Sequence, residues 1–154
     1  MIETPRIVQT QAQPIAFVHV TVPREKIREV MGPGIGEVLS TLAAQGIAPA
    51  GPWLTHHLRM DPDEFDLEIA VPVARQVQTA GRVKPGMLRA ARVARTVYHG
   101  PYEGLGDAWG EFMKWIEANG HDPAEDLWEQ YQVGPESGPD ATTYRTELNC
   151  PLAG

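Results

Sequence analysis

Phe65-Asp66-Leu67-Glu68-Ile69-Ala70-Val71-Pro72-Val73 is echoed by Tyr144-Arg145-Thr146-Glu147-Leu148-Asn149-Cys150-Pro151-Leu152. Glu68 matches Glu147 and Pro72 matches Pro151, each pair 79 positions apart by subtraction of the residue numbers. A spacing of that size marks a duplicated supersecondary unit. Both stretches alternate. Phe65, Leu67, Ile69 and Val71 share one face of the first, and Asp66, Glu68 and Ala70 the other. Tyr144, Thr146, Leu148 and Cys150 share one face of the second, and Arg145, Glu147 and Asn149 the other. Burying the apolar sets against helices turns Glu68 and Glu147 to the opposite side of a sheet.

The echo continues upstream. Gly46-Ile47-Ala48-Pro49 matches Gly120-His121-Asp122-Pro123, and Val22-Pro23-Arg24-Glu25 loosely matches Gly100-Pro101-Tyr102-Glu103. Residues 6–22 read as a strand region broken at Pro14. Ala16, Val18, Val20 and Val22 form its apolar face. Residues 24–45 read as helix, with Ile27, Val30, Met31, Val38, Leu39 and Leu42 as the stripe and Gly32-Pro33-Gly34 as a cut. A hairpin follows over 53–60 and 64–73, turned by Asp61-Pro62-Asp63. The second half repeats the order: strand 88–99, helix 104–119, then strands 128–133 and 143–150 joined by a Gly/Pro/Ser loop over 134–140. The expected fold is α+β, one domain of two pseudo-symmetric strand–helix–strand–strand modules, about 6–73 and 87–152, joined by a linker over 74–86. Its antiparallel sheet carries helices on one face and a ligand groove on the other, into which each module offers a carboxylate.

Composition narrows the function. With 154 residues, 42% hydrophobic and 21% charged, the chain is an ordinary globular domain. A net charge of -7 argues against direct nucleic-acid binding and favours cationic ligands. One cysteine excludes an intrachain disulfide, and no stretch reads as a secretion signal or membrane span, so a cytoplasmic location without membrane association is expected.

No His, Cys and carboxylate spacing suits a metal, and no phosphate-binding loop or cofactor motif is present, so neither metal nor cofactor is expected. The adjacent His56 and His57 point to opposite strand faces, which rules out joint ligation. His57 is the one carried as a groove residue. Ser40 and Ser137 lack a nucleophile elbow, and Cys150 sits on the apolar face, so a nucleophilic triad is not supported. Glu147 is the leading groove carboxylate, set against the readings of a solvated strand glutamate or of a salt bridge to neighbours of Arg145. Glu68 is its symmetry mate. Trp53, Trp128, Tyr98 and Tyr102 are candidate aromatic walls, which bind flat or cationic bodies by apolar burial and ring-face attraction. Trp109 and Trp115 lie on a helix stripe, where core packing competes with ligand contact. Trp109 stays among the ligand candidates. Trp128 and Tyr131 have opposite parity and cannot share a face unless the strand bulges.

Val97-Tyr98-His99-Gly100-Pro101-Tyr102 before a helix, Trp115-Ile116 and Asn119-Gly120 at its end, and the terminal Thr146-Glu147-Leu148-Asn149-Cys150-Pro151-Leu152 resemble the GyrI-like small-molecule-binding family. That family also supplies effector-binding domains of bacterial multidrug-responsive regulators. The resemblance covers essentially the whole chain. It implies a key acidic residue in the last strand, which falls on Glu147, and its pattern favours a role for Tyr131. It implies lipophilic, often cationic, aromatic ligands, with any protein partner unidentified. It also implies an alternative: some stand-alone members hydrolyse cyclopropane-bearing genotoxins, which here would set Glu147 to orient water beside a tyrosine hydroxyl such as that of Tyr131. A further alternative is a gyrase-inhibitor-like protein-binding factor, whose signature would be a clustered acidic surface. The regulators' DNA-binding region has no counterpart here, which argues against a direct transcriptional role.

Overall fold

The computed structural model describes residues 2–134, 138 and 140–153, apart from the side chain of Met60. The elements run β1 (Arg6–Gln9), β2 (Gln13–Pro23), α1 (Ile27–Ala44), β3 (Leu54–Met60), β4 (Glu64–Pro72), β5 (Lys84–Leu88), β6 (Arg92–His99), α2 (Leu105–Ala118), β7 (Leu127–Val133) and β8 (Arg145–Pro151). They form two compact units, one of residues 11–90 and one of residues 1–10 with 91–154. In the 11–90 unit the strand order is β3-β4-β2-β5, and in the other it is β1-β6-β8-β7. All these pairings are antiparallel. The class is α+β.

Each unit covers one sheet face with its helix. Gly34, Val38 and Leu42 are the buried residues of α1; Ala108, Phe112 and Ile116 are those of α2. Both sets recur every four residues, which aligns them along one helix side. Val38 and Leu42 join a core with Ala16, Val18 and Val20 of β2 and Leu67, Ile69 and Val71 of β4. Phe112 and Ile116 join Ala94, Tyr98, Leu148 and Cys150. The alternation read in β4 and β8 therefore chooses the helix-facing side as expected.

The duplication extends to the hydrogen bonds at the helix ends and to the register of the hairpins. Pro23 and Pro101 each open a short 3-10 turn, at Arg24–Lys26 and Tyr102–Gly104. Gly46 (φ 67°) and Gly120 (φ 76°) end the helices in the left-handed region. The next N–H reaches back five residues in both cases, Ile47 to Leu42 O at 2.9 Å and His121 to Ile116 O at 3.0 Å. Pro49 then bridges Val73, as Pro123 bridges Leu152. The hairpins match too. His56 opposes Glu68 and His57 opposes Leu67, with a register slip before Arg59. Gln130 opposes Glu147 and Tyr131 opposes Thr146, with the same slip before Val133. Thr55, His56 and His57 thus occupy the places of Glu129, Gln130 and Tyr131.

Some expectations change. The strand break falls at 10–12, and Pro14 lies inside β2, near its start, where a missing N–H is tolerated. β1 pairs with β6 and so groups with the second half of the chain. The stretch expected as linker contains β5, which pairs with β2. Pro33 does not cut α1. It removes one rung of the helix ladder, but packing on both sides holds the helix together, and Gly34 lies so close to β4 that an added Cβ would stand 2.5 Å from Ile69 Cδ1. Leu39, expected in the stripe, is exposed. The 134–140 loop lies largely outside the described residues.

Candidate ligand-binding site

β7 presents Glu129 and Tyr131 to the same side as Thr146 and Leu148, because residues paired across an antiparallel ladder share a face. Leu148 belongs to the core that includes α2 residues, so this is the helix side. Glu129 is 9% exposed and Tyr131 6%. The Tyr131 hydroxyl donates to Glu129 Oε1 at 2.8 Å, and the Trp109 indole N–H donates from α2 to Oε2 at 2.7 Å. Among the described residues no Lys, Arg or His comes within ion-pair distance of this carboxylate. Burial pushes its pKa up, against the two hydrogen bonds, which pull it down.

Aromatic rings surround the carboxylate. Tyr102, from the turn before α2, meets Tyr131 edge-on at 5.8 Å and Tyr144 tilted at 5.2 Å. Trp109 lies against Phe112 at 5.6 Å. Tyr102 and Trp109 are only half-buried and form the outer side of the cluster. The Thr146 hydroxyl, opposite Tyr131, is fully buried and has no hydrogen-bond partner among the described residues. A buried donor left unmade costs about 1–3 kcal/mol.

The equivalent place in the 11–90 unit has opposite chemistry. Thr55 and His57 replace Glu129 and Tyr131, and their side chains also touch, Oγ1 to Nε2 at 3.2 Å. Phe65 replaces Tyr144 and meets His57 edge-on at 5.6 Å. Arg24 replaces Tyr102 and lies 4.4 Å over the Phe65 ring. The chain's own guanidinium thus already occupies an aromatic face there. Burial, then the charges of His56 and Arg24, lower the His57 pKa to about 4. The unfolded chain takes up that proton near its ordinary value of 6.5 and the native state resists until about 4. Stability should therefore fall as pH drops from about 6.5 to 4, by at most about 3 kcal/mol. Denaturant midpoints across that range check it, since His57→Gln should flatten the slope.

The other expected site residues separate by face. Glu147 lies on the side away from α2. Asn149 and Gln132 donate to it at 3.2 and 3.1 Å, and Arg95 stands 3.4 Å away. This carboxylate already has its cation. Trp128, opposite Asn149, shares that face and is buried. Glu68 takes the matching place in the 11–90 unit, bonded to His56 at 3.0 Å. Tyr131 does not join Glu147: adjacent ladder positions send them to opposite faces, and the carboxylate beside Tyr131 is that of Glu129. Trp109, Tyr98, Tyr102 and His57 also belong to the helix sides rather than to an outer groove. Tyr98 is a core residue whose hydroxyl donates to Pro101 O at 2.8 Å and so pins the Gly-Pro turn. Trp53 packs on the hydrophobic core of its unit.

Glu129 was missed from sequence because a charged residue on a half-buried strand is expected to face outward. Its two-residue spacing to Tyr131 was the available signal. Charge, too, divides unevenly. Residues 11–90 hold eight basic and eight acidic side chains, so the whole net charge of -7 belongs to the unit with Glu129. Among the described residues no helix is long and apolar enough to cross a membrane.

The chain is thus an α+β domain with a buried carboxylate among aromatic rings and, among the described residues, no basic side chain within ion-pair distance of it. The chain belongs to the GyrI-like small molecule binding domain family, which it matches over residues 3–153. No curated protein matches it. Among solved structures it is similar to the EcmrR C-terminal domain, with a TM-score of 0.86 and 19% identity, covering 97% of each chain. In the EcmrR–DNA complex, at a TM-score of 0.85 and 19% identity, 98% of this chain covers only 57% of the EcmrR chain. It is similar to SAV2435 bound to tetraphenylphosphonium at a TM-score of 0.72 and 13% identity, covering 99% of this chain and 95% of that one. It is also similar to a hydrolase from Listeria innocua at 0.66 and 12%, covering 97% and 91%. At these identities the likeness is one of fold.

Proposed function

We propose that the protein binds lipophilic, aromatic cations beneath α2, with Glu129 as counter-ion and Tyr131, Tyr102 and Trp109 as walls. The observation that carries this reading is the buried carboxylate without a cation partner. Such a group is costly to keep charged and gains most from a ligand that brings a positive charge without a tight hydration shell. Aromatic faces add about 0.5–2 kcal/mol per cation contact. The indole of Trp109 would yield its hydrogen bond as the ligand enters. Tetraphenylphosphonium, which SAV2435 binds, has the required shape and charge. Titration should show saturable binding and a rise in melting temperature with tetraphenylphosphonium, and neither with the isosteric anion tetraphenylborate. Equal affinity for both ions would defeat the reading.

Hydrolysis is a second reading, favoured by the 2.8 Å contact between Tyr131 and a carboxylate of raised pKa. Glu129 would take a proton from a water whose oxygen bonds to a carbon of a strained ring. The ring C–C bond breaks, Tyr131 protonates the released electron pair and regains its proton from Glu129. Incubation with a cyclopropane-bearing alkylator tests this. Loss of turnover in Tyr131→Phe supports it, and equal product from the variant removes it.

A further inference from the structure

The 11–90 unit has a concavity of about 590 Å³ on the sheet face away from α1, lined chiefly by Phe17, His19, Leu58, Glu68, Arg82 and Lys84. Its size falls in the range of small-molecule sites, roughly 300–1,000 Å³. We propose that it binds an anion with an apolar, planar body, such as an aromatic carboxylate, at a place separate from Glu129.

The floor is built for a flat group. Phe17 opposes Ala70 on β4 and Lys84 on β5. Its ring lies on Gly86, where an added Cβ would sit 2.7 Å from Phe17 Cε1. Any side chain at position 86 would collide with that ring, so the glycine leaves the berth it lies in. Leu58 is the extra residue of the β3 bulge. Bulges re-aim side chains, and this one turns an apolar group into the concavity.

The charges decide the ligand's sign. Glu68, the acid that lines the concavity, is bonded by His56 at 3.0 Å. Asp66, two residues along β4 and on the same face, takes His19 at 2.5 Å and Arg59 at 3.1 Å. Glu37 of α1 holds Arg82 through two of its nitrogens, the shorter contact 2.6 Å, fixing the guanidinium at the rim. The tight turn at Ala80–Val83, with Gly81 at φ 58°, brings Arg82 there. Lys84 is the remaining charge. Among the described residues it has no ion-pair partner. Glu68, Asp66 and Glu37 each have a hydrogen-bond or ion-pair partner, while among the described residues the Lys84 ammonium beside the aromatic floor has no ion-pair partner.

The test compares 1-naphthoate with 1-naphthylmethylammonium by NMR titration of the full chain. Naphthoate should bind more tightly and shift the Leu58 methyl and His19 imidazole signals. Lys84→Glu, a change at an exposed side chain, should weaken naphthoate at least tenfold. Glu129→Gln should leave it unchanged, so failure here and failure of the cation site are distinguishable. The proposal is overturned by unchanged affinity in Lys84→Glu, by preference for the ammonium, or by no saturable naphthoate binding up to about 10 mM.

Discussion

Glu129→Gln is expected to weaken tetraphenylphosphonium binding by about 30- to 100-fold, roughly 2–3 kcal/mol. The size follows from where the carboxylate sits. It is buried, it accepts from Trp109 and Tyr131, and among the described residues no basic side chain neutralises it. A unit charge that approaches such a group through aromatic walls interacts at a lower effective dielectric than it would at the surface. Gln keeps the shape and one acceptor, removes the charge and turns the other acceptor into an NH2 donor. The fold should survive, because wild type carries the cost of that charge. The raised native pKa means the folded state holds the proton more tightly than the unfolded chain. Stability attributable to Glu129 therefore falls as pH rises from the ordinary carboxylate value through the raised native one, and the variant should lack that fall. Over the same window wild-type affinity for the cation should rise with pH while that of Glu129→Gln stays flat. Calorimetric titration at several pH values reads both. A pH-independent affinity in wild type would separate the carboxylate from recognition.

Gly104→Ala is expected to cost about 2–4 kcal/mol of folding stability, far more than a glycine substitution at a helix start ordinarily would. A Cβ there would stand 2.1 Å from the Tyr98 hydroxyl and 3.0 Å from Cζ. Tyr98 cannot swing aside. It is 5% exposed, belongs to the core that includes α2 residues, and donates to Pro101 O. Gly104 has φ −88°, so the cost is one of space and not of backbone conformation. The same turn carries Tyr102, so the clash should also disturb the ring cluster around Glu129. Urea melts check it. Tyr98→Phe combined with Gly104→Ala should cost less than the sum of the single changes, because removing the hydroxyl relieves the closest contact. Strict additivity would mean that the two groups do not meet.

The repeat was legible because it rests on short-range rules. Alternation in β4 and β8 is a period-two signal, and the same signal assigned the helix-facing sides correctly. Gly46 and Gly120 declared their helix ends through a conformation that other residues avoid. Pro33 misled because local propensity counts one lost hydrogen bond, whereas packing of Val38 and Leu42 against β2 and β4 involves residues distant in sequence. The strand break misled in the same way: Pro14 is a weaker signal than the strand pairing that claims it.

The site was less legible for a related reason. Glu147 drew attention by sitting outward in a repeated strand, where polar residues belong. Glu129 breaks that rule, and what makes it tolerable is Trp109, 20 positions away on another element. Alternation showed that Trp128 and Tyr131 part company, but register alone assigns Tyr131 to the helix side with Glu129. The charge inversion between Glu129 with Tyr102 and Thr55 with Arg24 appears only once the two hairpins are aligned, bulge included.

The most direct test follows individual side chains during a tetraphenylphosphonium titration by NMR. The indole N–H signal of Trp109 should move and saturate with the ligand, because its hydrogen bond to Glu129 is what the cation displaces, while the side-chain amides of Gln132 and Asn149 beside Glu147 stay in place. Movement of those amides with a stationary Trp109 signal would transfer recognition to the other face of the sheet and contradict the account.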